Sequence, residues 1–439
     1  MAGRGRRAID MIQEDFRVEV IGHATLRVQC GGRTFLTDPW LVDPIGCNSA
    51  FHFPPTVHDP AALAAQTDAI YISHIHQDHF NPPTLAFFSK ETPIYIGDYA
   101  RKKFRDEIRQ LGFPVIEVPF QETVPVEGTD FAITIIRHDY EENAAYDSSV
   151  VIGTPGFTVF ENNDCFLRPE KYRWLRAHFD IDYAFLGYSS ASFFPICFEM
   201  DAEEKARLLT QAAERRYHDF LDAAQLLAPR LTVPFASGAR FLQESVLWKN
   251  ASFNSATEAV RRLRNRGLDG AVMGPGDRIA ADGSLERVSK VLGRQEELAA
   301  IAEYAQRVQS WVAGLQTQGP PGGTDLVERF REYMLSLWRD TRNKIPGVSR
   351  HVIAYVLLGA DEQQRFYFDF SKPDDQIFHW GEPPRYDMRY TYPSSGLRLR
   401  LDGQIDWDEL HFTDSVSVHQ VQYAREFYMM LRSETLDRD

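Results

Sequence analysis

Residues His74-Ile75-His76-Gln77-Asp78-His79 follow a short apolar run, Ala69-Ile70-Tyr71-Ile72-Ser73, of the kind that forms a buried strand. Alternate residues of a strand point the same way, so His74 and His76 can reach one ion together, while the loop that follows turns Asp78 and His79 toward a second position. A lone buried histidine is ordinarily a hydrogen-bonded core residue. Three histidines and an aspartate within six residues are a different matter, because burying so many polar groups without a shared partner costs several kcal/mol. The cluster reads as a metal site at the end of a rigid strand, and the rest of the chain has to fold so as to present it.

A chain of 439 residues is too long for one ordinary core. Up to about residue 270, strand-like runs alternate with helical ones, as a layered α/β fold requires. Helix formers then run from Arg294 to Leu315, and Gly319-Pro320-Pro321-Gly322-Gly323 breaks the chain into a loop. The expected division is a catalytic domain over 1–290 and an extension over 291–439 that completes the pocket. In the extension a helix is expected over Asp325–Arg339, strands over His351–Leu358, Gln364–Phe370 and Arg398–Leu401, and a last helix near Val418–Leu431. The alternating aromatics Phe366-Tyr367-Phe368-Asp369-Phe370 read as a core strand.

The formal net charge of −14 argues against a nucleic-acid footprint, which would show as a basic stripe. Arg4, Arg6 and Arg7 read as a solvated tail, because no apolar stretch follows them. Nor does any window reach the length of a membrane span, so a cytoplasmic protein is expected. The four cysteines, Cys30, Cys47, Cys165 and Cys197, are scattered without a Cys-x-x-Cys pair. That excludes a zinc ribbon or an iron–sulfur cluster made by this chain alone, and the expectation is reduced, mostly buried thiols.

The pattern His-x-His-x-Asp-His after a hydrophobic strand resembles the signature of the metallo-β-lactamase superfamily. Upstream, Val18, Val20, Ala24, Leu26, Val28 and Cys30 alternate, and Gly31-Gly32 turns the chain into Thr34–Trp40 as a β-hairpin. Gly22-His23-Ala24-Thr25 and Leu36-Thr37-Asp38-Pro39 are similar to the opening hairpin of the branch holding ascorbate-phosphate lactonases and N-acyl-phosphatidylethanolamine phospholipases. The resemblance implies an α/β fold: a four-layer αββα metallo-β-lactamase sandwich, here with an appended C-terminal α+β module.

It also implies further ligands from distant segments. His138 ends the apolar run Phe131–Arg137, a strand terminus where such sites collect, and is the expected third ligand of the first metal position with His74 and His76. Asp164, after Thr158-Val159-Phe160, stands where the superfamily carries a carboxylate that bridges two metals. The last ligand is usually a histidine in Pro-x-His-x-Gly, but Pro234-Phe235-Ala236-Ser237-Gly238 has Ala236 there. The second position keeps Asp78, His79 and Asp164. Both a single site of His74, His76 and His138 and a pair with an open coordination position remain compatible with these residues.

A narrower likeness accommodates that departure. Leu36–Leu41, Ile70–His79, Pro82-Pro83-Thr84-Leu85, Asn163-Asp164-Cys165 and Val233–Ser237 resemble consecutive blocks of the C-terminal domain of the CMP-N-acetylneuraminate hydroxylase family, which also lacks the last histidine. Ser189–Pro195 and Asp406-Trp407-Asp408-Glu409-Leu410 resemble two later blocks. The chain begins almost at the first hairpin, so the family's Rieske domain is not expected in it. The resemblance implies a non-haem iron oxygenase, with one or two Fe ions, acting on a small polar, sugar-nucleotide-like molecule with electrons from a separate ferredoxin or Rieske protein. Zinc or manganese also suits such donors, and the alternative is a hydrolase of an ester, lactone or phosphodiester through a metal-activated water. Asp78 would then orient the nucleophile or take its proton. A binding protein with a decayed site fits poorly with so complete a ligand set. Arg240, Trp248 and Lys249 are simplest as surface charges beside a packed tryptophan, although they are also placed to meet an anionic substrate.

Overall fold

In the computed structural model, residues 15–139, 147–163, 165–189, 193–316, 324–342, 352–359, 364–421 and 430–431 are described. Two sheets face each other. The first has eight strands in the order Leu285–Glu286, Arg278–Ala280, Arg17–Gly22, Thr25–Cys30, Arg33–Thr37, Ala69–Tyr71, Ile94–Gly97 and Val115–Val118. The second has six: Leu231–Phe235, Tyr183–Gly187, Thr158–Glu161, Ser148–Gly153, Ala132–Arg137 and Thr123–Pro125.

Period-two alternation decides which side chains fill the space between them. Val18, Leu26, Val28, Phe35 and Tyr71 of the first sheet meet Ile133, Ile135, Val150, Ile152, Phe185 and Val233 of the second in one buried cluster. The intervening residues point outward and are covered by helices. On the first sheet, Leu36, Ile70, Ile72 and Ile94 pack with Leu63, Leu85, Phe104 and Ile108. On the second, Val151, Phe160, Ala184 and Leu186 pack with Leu175, Phe220, Leu221 and Leu263. Those helical residues lie on Pro169–His178, Ala202–Leu227 and Ala256–Asn265. The longest of the three starts where the Asp201 side chain accepts from the Glu203 and Glu204 amides. The result is the four-layer αββα sandwich.

A third sheet runs Phe198–Glu199, Ser417–Gln420, Met388–Tyr392, Ile353–Leu358, Gln364–Asp369 and Phe378–Trp380. Helix Thr324–Thr341 packs on it through Leu326, Phe330 and Met334, and Phe366, Phe368 and Phe370 are core residues there. Its first strand comes from well before residue 290, so the extension is stitched into the sandwich rather than strung behind it.

Three expectations need correction. The stretch Val18–Cys30 is two antiparallel strands that reverse at His23-Ala24, with Val20 opposite Leu26 and Val18 opposite Val28. A two-residue turn alone pairs even with odd positions, as Gly22 with Thr25, but a register shift between Val20 and Gly22 restores even-with-even pairing, so the even-numbered apolar positions alternate straight through the reversal and hide it. Arg398–Leu401 belongs to a helix, Ser394–Leu401, because Leu397 and Arg400 are buried three residues apart on one helical face. Val418 lies in the strand Ser417–Gln420, not in a helix, and residues 422–429 and the Pro/Gly loop at 319–323 lie outside the described residues. All four cysteines are free and buried. No described helix is long and apolar enough to cross a membrane.

Candidate metal centre

The strand Ala69–Tyr71 is internal to the first sheet, paired in parallel with Arg33–Thr37 and Ile94–Gly97. Its end is locked by Asp38, which follows the neighbouring strand. One Asp38 oxygen accepts the Ser73 amide at 2.7 Å, and the other accepts the Ser73 hydroxyl at 2.7 Å and pairs with His79 Nδ1 at 2.8 Å. Asp38 and His79 are both 0% exposed. A fully buried carboxylate is tolerable only when its oxygens are so occupied, and the arrangement leaves the other His79 nitrogen, Nε2, facing Asp78.

The strand ends at Tyr71, so His74 and His76 lie in the loop beyond it rather than on the strand, and that loop brings His74 Nε2 and His76 Nδ1 to 2.8 Å. His74 Nδ1 is 2.9 Å from the Ser73 hydroxyl. His138, at the end of strand Ala132–Arg137, pairs through Nδ1 with Asp147 Oδ2 at 3.1 Å. Asp147 Oδ1 lies 4.0 Å from His74 Nδ1 and so links the two histidines. Asp164 lies outside the described residues; its neighbours Asn163 and Cys165 are buried, and the Cys165 amide donates to the Asn163 side chain.

A second group forms around Asp78. Asp78 Oδ2 is 3.1 Å from His23 Nε2 and 3.8 Å from His79 Nε2. Among the described residues, His23, Asp78 and His79 place ligand atoms within 4.8 Å of one another, a spacing that suits one cation. His23 occupies the strand reversal with φ 36°, and its Nδ1 accepts the Gly238 amide at 3.0 Å. A side chain at Gly238 would lie 2.7 Å from the His23 backbone, so glycine is required there. The loop in which Ala236 replaces the usual histidine thus meets the site through Gly238 and His23.

Sequence reasoning missed His23, Asp38 and Asp147 as site residues. His23 and Asp38 stood in the hairpin blocks quoted for their likeness, which was the available signal, whereas Asp147 has no local pattern.

The charges are strongly coupled. Burial opposes ionisation of Asp78, but His79, His23 and His76 hold its carboxyl well below the usual range. Burial lowers and Asp406, Asp147 and Asp78 more than restore the His76 pKa, which rises to about 9. His138, depressed by burial and raised by Cys165 and Asp147, reaches about 10. Asp147, raised by burial but flanked by His74 and His138, falls to about 2. Glu161, wholly buried near Asp38, is pushed well above a normal carboxyl. Cationic imidazoles and anionic carboxylates crowded in one place, with His23, His74, His79 and His138 each hydrogen-bonded at the outward nitrogen, form the donor set and supporting shell that a metal ion requires. The residues fit a metal.

Arg240 is neither exposed nor available to substrate: it is buried, donates to the Ser237 and Ala239 carbonyls, and pairs with Glu297. Lys249 is likewise buried, bonded at 2.7 Å to the carbonyls of Phe412 and Asp414. Trp248 is exposed rather than packed. A cleft of about 670 Å³ runs between the metal loop and the extension, walled by Ile75, Gln77 and Phe80 on one side and Arg400, Asp406 and Trp407 on the other.

No protein-family profile matches the chain. Over 425 aligned residues it is 26% identical to a Mycolicibacterium smegmatis protein described as a Rieske 2Fe-2S iron–sulfur protein, covering 89% of this chain and 79% of that one. It is 27% identical over 233 residues to the cytidine monophosphate-N-acetylneuraminic acid hydroxylase of Cricetulus griseus, covering 51% of this chain but 40% of the hydroxylase, less than two thirds of its length. Among solved structures it is similar to CmlA, a diiron β-hydroxylase from Streptomyces venezuelae, with a TM-score of 0.44 at 18% identity over 63% of this chain and 54% of that one. With two facing sheets between helical layers and a His-x-His-x-Asp-His loop closing an internal strand, the chain is a metallo-β-lactamase-fold protein similar in sequence to CMP-N-acetylneuraminate hydroxylases.

Proposed function

We propose that this chain is the catalytic part of a metal-dependent oxygenase that hydroxylates a polar, sugar-nucleotide-like metabolite, using iron and an external ferredoxin or Rieske donor. The observation that carries this reading is the similarity to a protein named for a Rieske cluster over 89% of the chain and to a sugar-nucleotide hydroxylase over 51% of it. In such a reaction one oxygen atom of dioxygen enters a C–H bond and the other leaves as water, with two electrons supplied by the donor and two protons by solvent. His74, His76 and His138 would hold one ion, and Asp78, His79 and Asp164, with His23 beside them, a second. The bound metal would supply dioxygen activation.

The chain's own residues do the positioning. Asp38 fixes His79, Asp147 fixes His138, and the ionised Asp78 sits between His23 and His79, where it can hold or accept a proton. The cleft volume lies in the range of small-molecule sites, and its two walls support a role for the extension in shaping substrate approach. A second reading, hydrolysis of an ester, lactone or phosphodiester, is favoured by Asp78 being anionic at neutral pH and placed to act as a base.

Metal analysis of protein purified with and without air, followed by oxygen uptake with reduced ferredoxin and a CMP-linked sugar, tests the choice. Stoichiometric iron with substrate-dependent oxygen consumption is expected. Stoichiometric zinc with no oxygen consumption, and turnover of ester or phosphodiester substrates without air, would replace the oxygenase by the hydrolase.

A further inference from the structure

The candidate ligand histidines differ in what holds their outward nitrogens. His79 is held by Asp38, His138 by Asp147 and His74 by the Ser73 hydroxyl, all of them residues of the sandwich. His76 turns the other way. Its Nε2 lies 3.7 Å from Asp406 Oδ2, and Asp406 belongs to the C-terminal extension. That distance is ion-pair range, under about 1 Å from a hydrogen bond.

Asp406 is itself held firmly. It opens the helix Trp407–Thr413 with a reciprocal cap: its Oδ1 accepts the Glu409 amide at 2.7 Å, and Glu409 Oε2 accepts the Asp406 amide at 2.9 Å. The other Glu409 oxygen accepts the amide of Gln77, the residue next to His76, at 3.1 Å. The Gln77 side chain accepts from the Gly46 amide and donates to the Gln404 carbonyl at 2.6 Å. The same cap therefore clamps the backbone of the metal loop and leaves Asp406 Oδ2 directed at the imidazole.

We propose that Asp406 is a positioning residue for His76: its carboxylate holds Nε2 outward so that Nδ1, the nitrogen that faces His74, is presented to the metal. Metal retention then depends on docking of the extension, although the described candidate ligands lie in the sandwich. This inference rests on the metal-centre reading above.

The test uses the full chain, stripped of metal and titrated with Zn(II) or Fe(II) alone against a chromogenic chelator. Asp406→Asn retains an oxygen that can cap the helix, and Asp406→Ser caps as well but cannot reach His76. Both variants are expected to weaken metal binding by about tenfold to a hundredfold, the usual effect of losing a ligand's outer partner, while the metal-free melting temperature stays that of the parent. Variants that bind metal as the parent does would make Asp406 a helix cap only and overturn the proposal. A parent chain that binds neither ion would overturn the metal-centre reading itself, a distinct result.

Discussion

The two sides of the metal loop are built on different plans. On one, His79 and Asp38 are 0% exposed and joined by a 2.8 Å contact inside the sandwich. On the other, the His76 side chain is 34% exposed and lies beside Asp406 of the C-terminal stretch. The first side is a folding feature as much as a functional one, since its buried charges must find partners before the sandwich can close. The second side tolerates rearrangement, because water shares the work of solvating it. Stability should therefore follow the inner side, and metal retention should follow both.

The largest effect belongs to the inner side. Asp38→Ala strips the Ser73 amide, the Ser73 hydroxyl and His79 of their common acceptor, and urea denaturation is expected to show a loss of roughly 3–5 kcal/mol. A cost below about 1 kcal/mol would erase the contrast between the sides. Next come His76→Ala and His138→Ala, which should abolish stoichiometric metal in elemental analysis. His76→Ala should do so with a stability change under about 1 kcal/mol, as befits a partly exposed ion pair. Full occupancy in the His138 variant would remove that residue from the ligand set.

The pH response is smaller and its sign follows from the raised imidazoles. His76 at about 9 and His138 at about 10 hold their protons more tightly folded than unfolded. The stabilisation they give the metal-free protein is complete below the unfolded value near 6.5 and is lost as pH rises through 9 to 10. A bound cation must displace those protons, so the rise in melting temperature on adding metal should grow from pH 6 to pH 9. A gain that shrinks over this interval would mean the histidines do not compete with the metal. The smallest effect is expected far from the site, at Glu258, whose carboxyl is lowered to about 2 by hydrogen bonds from Arg261 and Arg262. Its pairs lie on an open helix face, and Glu258→Gln should cost about 0.5 kcal/mol with metal binding unchanged.

What could be read in the sequence was what local periodicity encodes. The strand Ala69–Tyr71 and the cluster that follows it were legible as an apolar run ending in close-spaced histidines, although it is the loop beyond the strand, not strand alternation, that brings His74 and His76 to 2.8 Å. The layered α/β fold was legible in the runs that became Ala132–Arg137, Ser148–Gly153 and Ala202–Leu227. His23 was not, since the register shift beside the turn that carries it restores the apolar parity and hides the reversal. Asp147 was not either, because it meets His74 from 73 positions away and no spacing rule spans that interval. Asp406 stood in a recognised block, yet it approaches His76 from 330 positions away, and no local pattern announces that pairing.

The buried cysteines offer a way to watch these two architectures come apart. The Cys47 amide donates a hydrogen bond to the Thr413 hydroxyl, and Cys197 donates its thiol hydrogen to the His411 carbonyl, so both sit where the extension docks. Cys30 and Cys165 lie inside the sandwich. Burial raises all four thiols above their ordinary pKa and keeps them unreactive while shielded. A thiol dye would therefore act as a two-stage clock, marking Cys47 and Cys197 when the extension lifts and the remaining pair only when the sandwich itself opens.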